Sequence, residues 1–217
     1  MLRACSLGQT YPEPKALIKL LFLCTLAVVA NLLSIFFKTI LEAPLFLDTI
    51  FTVAVTFALG LFPGIAVAVL TWVLYGISSG PFHPFVFVAI AEVLLVSLLK
   101  PPFFEALSWT QNPALPERKT TYIVIVTSQL FVLYVVCAVV VSVFGGALAF
   151  LYYTVWNRDT PSFLIAVNAF RWNFLQGGSP VFLADILSRI QTNMVSRFIV
   201  IFGGYFVSLG IRRMFRK

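Results

Sequence analysis

The feature that most constrains this chain is a succession of apolar runs. A helix that crosses a bilayer needs about twenty mostly apolar residues. Runs that approach or reach that length lie at approximately 17–40, 46–62, 64–79, 85–99, 121–151 and 185–211. Hydrophobic residues make up 60% of the chain and charged residues only 11%, against about a quarter in a soluble domain. A soluble fold of this size cannot bury so much apolar surface. The sequence therefore predicts a single all-α integral membrane domain over residues 1–217, a bundle of six transmembrane helices. The first run is long for a signal-peptide core and no small-residue cleavage site follows it, so it is expected to be retained as a span. The run 121–151 exceeds one crossing, which predicts a tilt or a break near Gly145-Gly146. The GLFPG stretch at 60–64 predicts a tight turn between the second and third spans.

Charge gives the expected orientation. The net charge is +7, and its basic residues gather at the N-terminus (Arg3, Lys15, Lys19), in the 100–119 loop (Lys100, Arg118, Lys119) and in the C-terminal RRMFRK. Six crossings place all three on one side, and Lys and Arg favour the cytoplasmic side. Both termini are thus expected in the cytoplasm of a multi-pass cell-membrane protein. The positive balance then reads as an affinity for anionic lipid, with no nucleic-acid partner. The opposite side holds the segments 41–48, 78–84 and 152–180, which are rich in polar and aromatic groups.

One stretch breaks the apolar pattern. In ADILSRIQTNMVSRF, residues 184–198, Asp185, Ser188, Arg189, Thr192, Asn193, Ser196 and Arg197 recur at helical spacing along one face. Asp185 precedes Arg189 by one turn, the favourable order for a helical ion pair. Two readings stand. Residues 181–193 form an amphipathic helix in the outer interface and Met194–Ile211 span alone; or the helix is continuous and turns its polar face to the bundle interior, where charges are costly and usually functional. Both place the stripe on the wall or rim of a cavity in the outer half.

Other candidates each have a plain structural reading beside the functional one. Glu42 and Asp48 flank the second span as interfacial charges or as contacts at a cavity mouth. Glu92 lies mid-span, where a carboxylate needs a partner, a proton or water. His83 occupies a Gly-Pro turn. Trp156 and Trp172 suit an aromatic belt or stacking on a flat ligand, and Asn157 and Arg158 lie in the same outer loop. Ala54 and Ala58 form a small-residue pair permitting close helix packing. Cys5, Cys24 and Cys137 have no paired spacing, no His/Cys/carboxylate cluster suits a metal, and no nucleotide-binding or nucleophile motif is present. No cofactor is expected.

The run LDTIFTVAVTFALGLFPGIAVAVLTWVLYGI at 47–77, the acidic Asp48 that opens the second span, the Gly-Pro turn leading into the third, and the six-span plan together resemble the substrate-binding S components of energy-coupling factor transporters. The C-terminal run ADILSRIQTNMVSRFIVIFGGY is similar to spirochaete-type relatives of that family. The resemblance implies a chain that captures a small water-soluble, vitamin-like nutrient from outside. It implies as partners a transmembrane coupling subunit and two ATPase subunits, which supply the drive. It also implies that small residues dock on the coupling subunit; here these are Ala27 and Ala30 in the first span and Ala54 and Ala58 in the second. Glu42, Asp48, His83, Glu92, Trp156, Asn157, Arg158, Trp172, Asp185, Arg189 and Asn193 are the expected substrate contacts. The chain is not expected to be an enzyme. An alternative is a sensory or regulatory membrane domain with a separate output protein, since the chain ends soon after its last span. A third reading is an intramembrane enzyme using Glu92 or the Asp185/Arg189 pair.

Overall fold

The computed structural model describes residues 14–41, 45–79, 83–99, 117–156 and 165–216, and the described residues contain helices and no strands. In order these are α1 (Pro14–Leu41), α2 (Ile50–Leu59), α3 (Leu61–Ser79), α4 (Val86–Leu98), α5 (Glu117–Ala149), a π-helical turn (Phe150–Val155), α6 (Ile165–Gln176) and α7 (Val181–Arg216). Among the described residues four helices are long and apolar enough to cross a membrane, within Leu17–Lys38, Leu61–Ser78, Ile123–Val155 and Val181–Met214. Large apolar side chains cover the outside, and polar groups are gathered inside among the apolar core. Phe22, Phe62, Ile77 and Leu98 are each at least 70% exposed, whereas Asn31, Thr56, Ser142 and Ser196 are fully buried. That inversion marks a multi-pass membrane-embedded protein, because an aqueous solvent would drive the opposite arrangement.

Two of the expected spans are short helices. α2 has 10 residues and α4 has 13, below the length of a crossing. α2 is the most enclosed element: Thr52 to Phe57 are all buried. It ends at Gly60, whose φ of 104° and ψ of −170° only glycine tolerates readily. α3 begins at the next residue, so the expected turn at 60–64 contracts to one glycine. Pro63 falls in the first turn of α3, where its missing N–H is no loss. Asn31 of α1 ties the three helices together, with a long 3.5 Å hydrogen bond from its amide to Thr71 Oγ1 of α3. It donates to Thr52 Oγ1 at 2.8 Å and accepts from the backbone N–H of Phe51 at 3.3 Å.

α5 passes through Gly145-Gly146 unbroken and widens only beyond Ala149, where Trp156 N–H donates to the carbonyl of Leu151, five residues back. α6 stops at Gly178 (φ 82°), with Ser179 N–H donating to the Phe174 carbonyl, a glycine-dependent helix stop. α7 packs most extensively against α5 and α2, and glycines permit those approaches. A Cβ on Gly146 would stand 2.8 Å from the Ile186 backbone, and one on Gly204 would stand 2.9 Å from Val53.

This packing predicts a contrast. Gly146→Ala forces backbone apart between α5 and α7 and should cost about 1–3 kcal/mol. Gly210→Ala, with nothing within 4 Å, should leave stability unchanged or slightly raised. Equilibrium unfolding of the purified variants in detergent checks both.

Candidate functional site

The polar face of α7 meets a short stretch of chain that has no regular structure. Leu45–Leu47 has no regular secondary structure and Asp48–Thr49 is a turn. Non-helical backbone inside a bundle must find its hydrogen bonds in protein, and two adjacent residues of α7 supply them. Phe46 N–H donates to Ser196 Oγ at 2.9 Å, and Arg197 Nη2 donates to the Phe46 carbonyl at 2.6 Å. Arg197 Nη1 also donates to Thr49 Oγ1 at 2.8 Å and to both oxygens of Glu92 at 2.5 Å. Arg197 is 3% exposed and Glu92 1%. One guanidinium thus joins α7, α4 and the entry to α2.

Further charges surround this pair. Lys38, at the end of α1, lies 3.8 Å from Asp48, with its ammonium 4.9 Å from the centre of the Phe46 ring. Arg189 lies two turns before Arg197 on α7. Its guanidinium is over the rings of Phe85 (5.1 Å) and Phe46 (5.9 Å), and it is buried. Among the described residues no hydrogen bond or ion pair meets it. Two ring contacts return about 0.5–2 kcal/mol each, whereas desolvating a lone ion costs several kcal/mol. The rings alone do not offset the burial of Arg189.

These groups wall a cavity in the half of the bundle where α1 ends and α7 begins. Its polar lining is Lys38, Asp48, Thr49, Glu92, Arg189, Asn193 and Arg197, and its apolar lining includes Phe46, Trp72 and Phe85. The space left for the centres of water-sized molecules is about 40 Å³, room for roughly three waters. Asn193 is fixed by donating to Ser142 Oγ at 3.0 Å. No group of three or more His, Cys, Asp or Glu side chains among the described residues forms a metal site.

Of the expected contacts, Asp48, Glu92, Arg189 and Asn193 come together here. The stripe on α7 is buried and its helix continuous from Val181 to Arg216; the interfacial helix ending near 193 is not formed. Asp185 is buried one turn above Arg189 but faces Arg171 of α6, at 2.7 Å, and does not pair with Arg189. His83 is buried beside the cavity among Tyr75, Tyr152 and Trp72, with ring centroids 5.3, 6.1 and 6.2 Å away. Trp156 and Trp172 are exposed and do not line the cavity. Glu42, Asn157 and Arg158 lie outside the described residues. Ala27 and Ala54 are buried in the chain's own α1/α2/α3 core, while Ala30 and Ala58 are half-buried. Sequence reasoning missed Lys38, whose signal is a lone charge inside the otherwise apolar SIFFKTIL. It also missed Thr49, Phe46, Trp72 and Phe85, which carry no such signal.

Two outcomes are expected. Glu92→Gln leaves Arg197 as an unpaired buried cation and should cost about 3–5 kcal/mol in unfolding experiments. Glu92→Gln with Arg197→Met should regain only part of this, because the Phe46 carbonyl and Thr49 hydroxyl still lose their donor. His83 sits in the connection before α4, and burial pushes it below its ordinary value of 6.5. The folded protein then holds fewer protons than the unfolded chain, so stability is full above about pH 6.5 and falls as pH drops below it. The thermal midpoint should decline from pH 7.5 to 5.5, and His83→Phe should flatten that decline.

No family model, no curated protein and no solved structure matches this chain.

Proposed function

We propose that this chain is the substrate-binding membrane subunit of an importer of the energy-coupling factor type. It captures a small water-soluble nutrient in a pocket open to the outside of the cell membrane, and separate coupling and ATPase subunits supply the drive. The observation that carries this reading is the cavity itself. Five charged side chains line it inside an apolar bundle, at a cost that only a polar occupant or a structural pairing offsets, and one of the five, Arg189, has no pairing among the described residues. α2 and α4 complete six crossings in this reading, tilted or extended by the segments beside them. Both termini are cytoplasmic, so the end of the bundle where α1 stops and α7 starts faces outward.

The cavity in its present shape admits a few waters, whereas a drug-sized or vitamin-sized ligand occupies about 300 Å³ or more. Capture therefore involves movement at the rim. The movable parts are the Leu45–Thr49 segment and α6, which is held to α7 by the Arg171–Asp185 pair. Asp48, Glu92, Arg189 and Asn193 supply the polar contacts, and Phe46, Trp72 and Phe85 the flat apolar walls.

Native mass spectrometry of gently purified protein tests this. A retained small molecule, lost on Asn193→Leu, together with a co-purifying ATPase pair, is the expected result. A ligand-free protein that co-purifies with a kinase or cyclase would replace the importer by a sensory domain.

A further inference from the structure

The charges of the described residues at the cavity leave one cation, Arg189, without an anion. Among the described residues three cations line it, Lys38, Arg189 and Arg197, against two carboxylates, Asp48 and Glu92. Glu92 closes on Arg197 at 2.5 Å and Asp48 lies 3.8 Å from Lys38. The nearest acid along Arg189's own helix, Asp185, is held by Arg171 at 2.7 Å. Adding that pair leaves the same excess of one positive charge. Arg189, 5% exposed, is the cation without an anion. A buried, unneutralised guanidinium on a cavity wall is a receptor for negative charge.

The surroundings narrow the class. A guanidinium presents a planar fork that fits the two oxygens of a carboxylate. Thr49 accepts from Arg197 through Oγ1, which leaves its hydroxyl proton to donate. The guanidinium lies over the Phe85 and Phe46 rings, and among the described residues none of its N–H groups is taken by a hydrogen-bond acceptor, so they are left for an anion. Arg189, without an anion among the described residues, calls for one negative charge, and space for roughly three waters admits a carboxylate group more readily than a tetrahedral phosphate. We propose that the cavity binds a monocarboxylate, with Arg189 receiving the carboxylate and Thr49 donating to it. That this carboxylate belongs to transported cargo rests on the importer reading above; the charge imbalance at Arg189 does not.

The test uses the full chain in phosphatidylcholine nanodiscs, which contain no net-anionic lipid, and follows the thermal midpoint by tryptophan fluorescence. Sodium acetate replaces sodium chloride at constant ionic strength, and acetamide serves as the uncharged isostere. Acetate is expected to raise the midpoint saturably and acetamide to leave it unchanged. Arg189→Gln should raise the half-saturating acetate concentration by about tenfold or more, while its midpoint without acetate stays equal or rises, because an unpaired buried cation is gone. Equal responses to acetate and acetamide, or a full acetate response in Arg189→Gln, would overturn the proposal. So would a larger shift with inorganic phosphate than with acetate. Should Arg189→Gln fail to fold, the acetate–acetamide comparison on the unaltered chain decides alone. Benzoate in place of acetate separates a free small acid from the acidic end of a larger ligand: a stronger response to benzoate selects the latter. A neutral or cationic molecule retained in native mass spectrometry would sink this inference and leave the importer reading standing. Saturable acetate binding lost in Arg189→Gln, with no ATPase partner, would do the reverse.

Discussion

The Arg197–Glu92 ion pair is the contact on which the other features of the site depend. Two charges in a low-dielectric interior attract strongly, yet the desolvation each suffers is of similar size. The pair therefore contributes less to stability than to placement. Its other donors show what is placed. The same guanidinium reaches the Phe46 carbonyl and Thr49 Oγ1, so it holds a non-helical segment whose Phe46 carbonyl has no partner in a helix ladder. Without that anchor the Leu45–Thr49 stretch would carry unsatisfied backbone groups, Asp48 would lose its position beside Lys38, and the Phe46 ring would leave Arg189 and Lys38.

Packing between α7 and its neighbours keeps that anchor in register. Gly146 and Gly204 let α5 and α2 approach α7 closely, and Asn31 fixes α2 to α1 by hydrogen bonds with few competitors in an apolar bundle. The cavity thus lies between packed helices, bounded on one side by a non-helical segment that several polar contacts hold to α7 and α1 and by α6, whose Arg171 pairs with Asp185 of α7.

Much of the site was legible in the one-dimensional pattern. The helical spacing of Asp185, Arg189, Asn193 and Arg197 placed them on one face before any tertiary contact was known, and Glu92 stood out as a mid-span carboxylate. The pairings were not legible. Asp185 and Arg189 have the sequence spacing of a salt bridge, but Asp185 is drawn to Arg171 across the α6–α7 hairpin, a choice made by the direction in which α6 packs. Thr49 and Phe46 belong to the α1–α2 connection, where no periodicity exists to reveal a face, and Lys38 is a lone charge in the last turn of α1. Trp156 and Trp172 had the composition of a binding loop, yet composition does not say which way a ring points.

The sequence by itself determined the membrane class, the all-helical architecture and the polar face of the last helix, since these follow from local quantities: run length, hydropathy and a repeat of 3.6 residues. It did not determine which runs are full crossings. α2 is short because the non-helical 45–49 stretch precedes it and Gly60 ends it, and an interruption is affordable only where other helices satisfy the freed backbone. Nor did it determine that Arg197 would take Glu92 and leave Arg189 facing a cavity. That assignment depends on distances between residues a hundred positions apart, which only the packed bundle fixes.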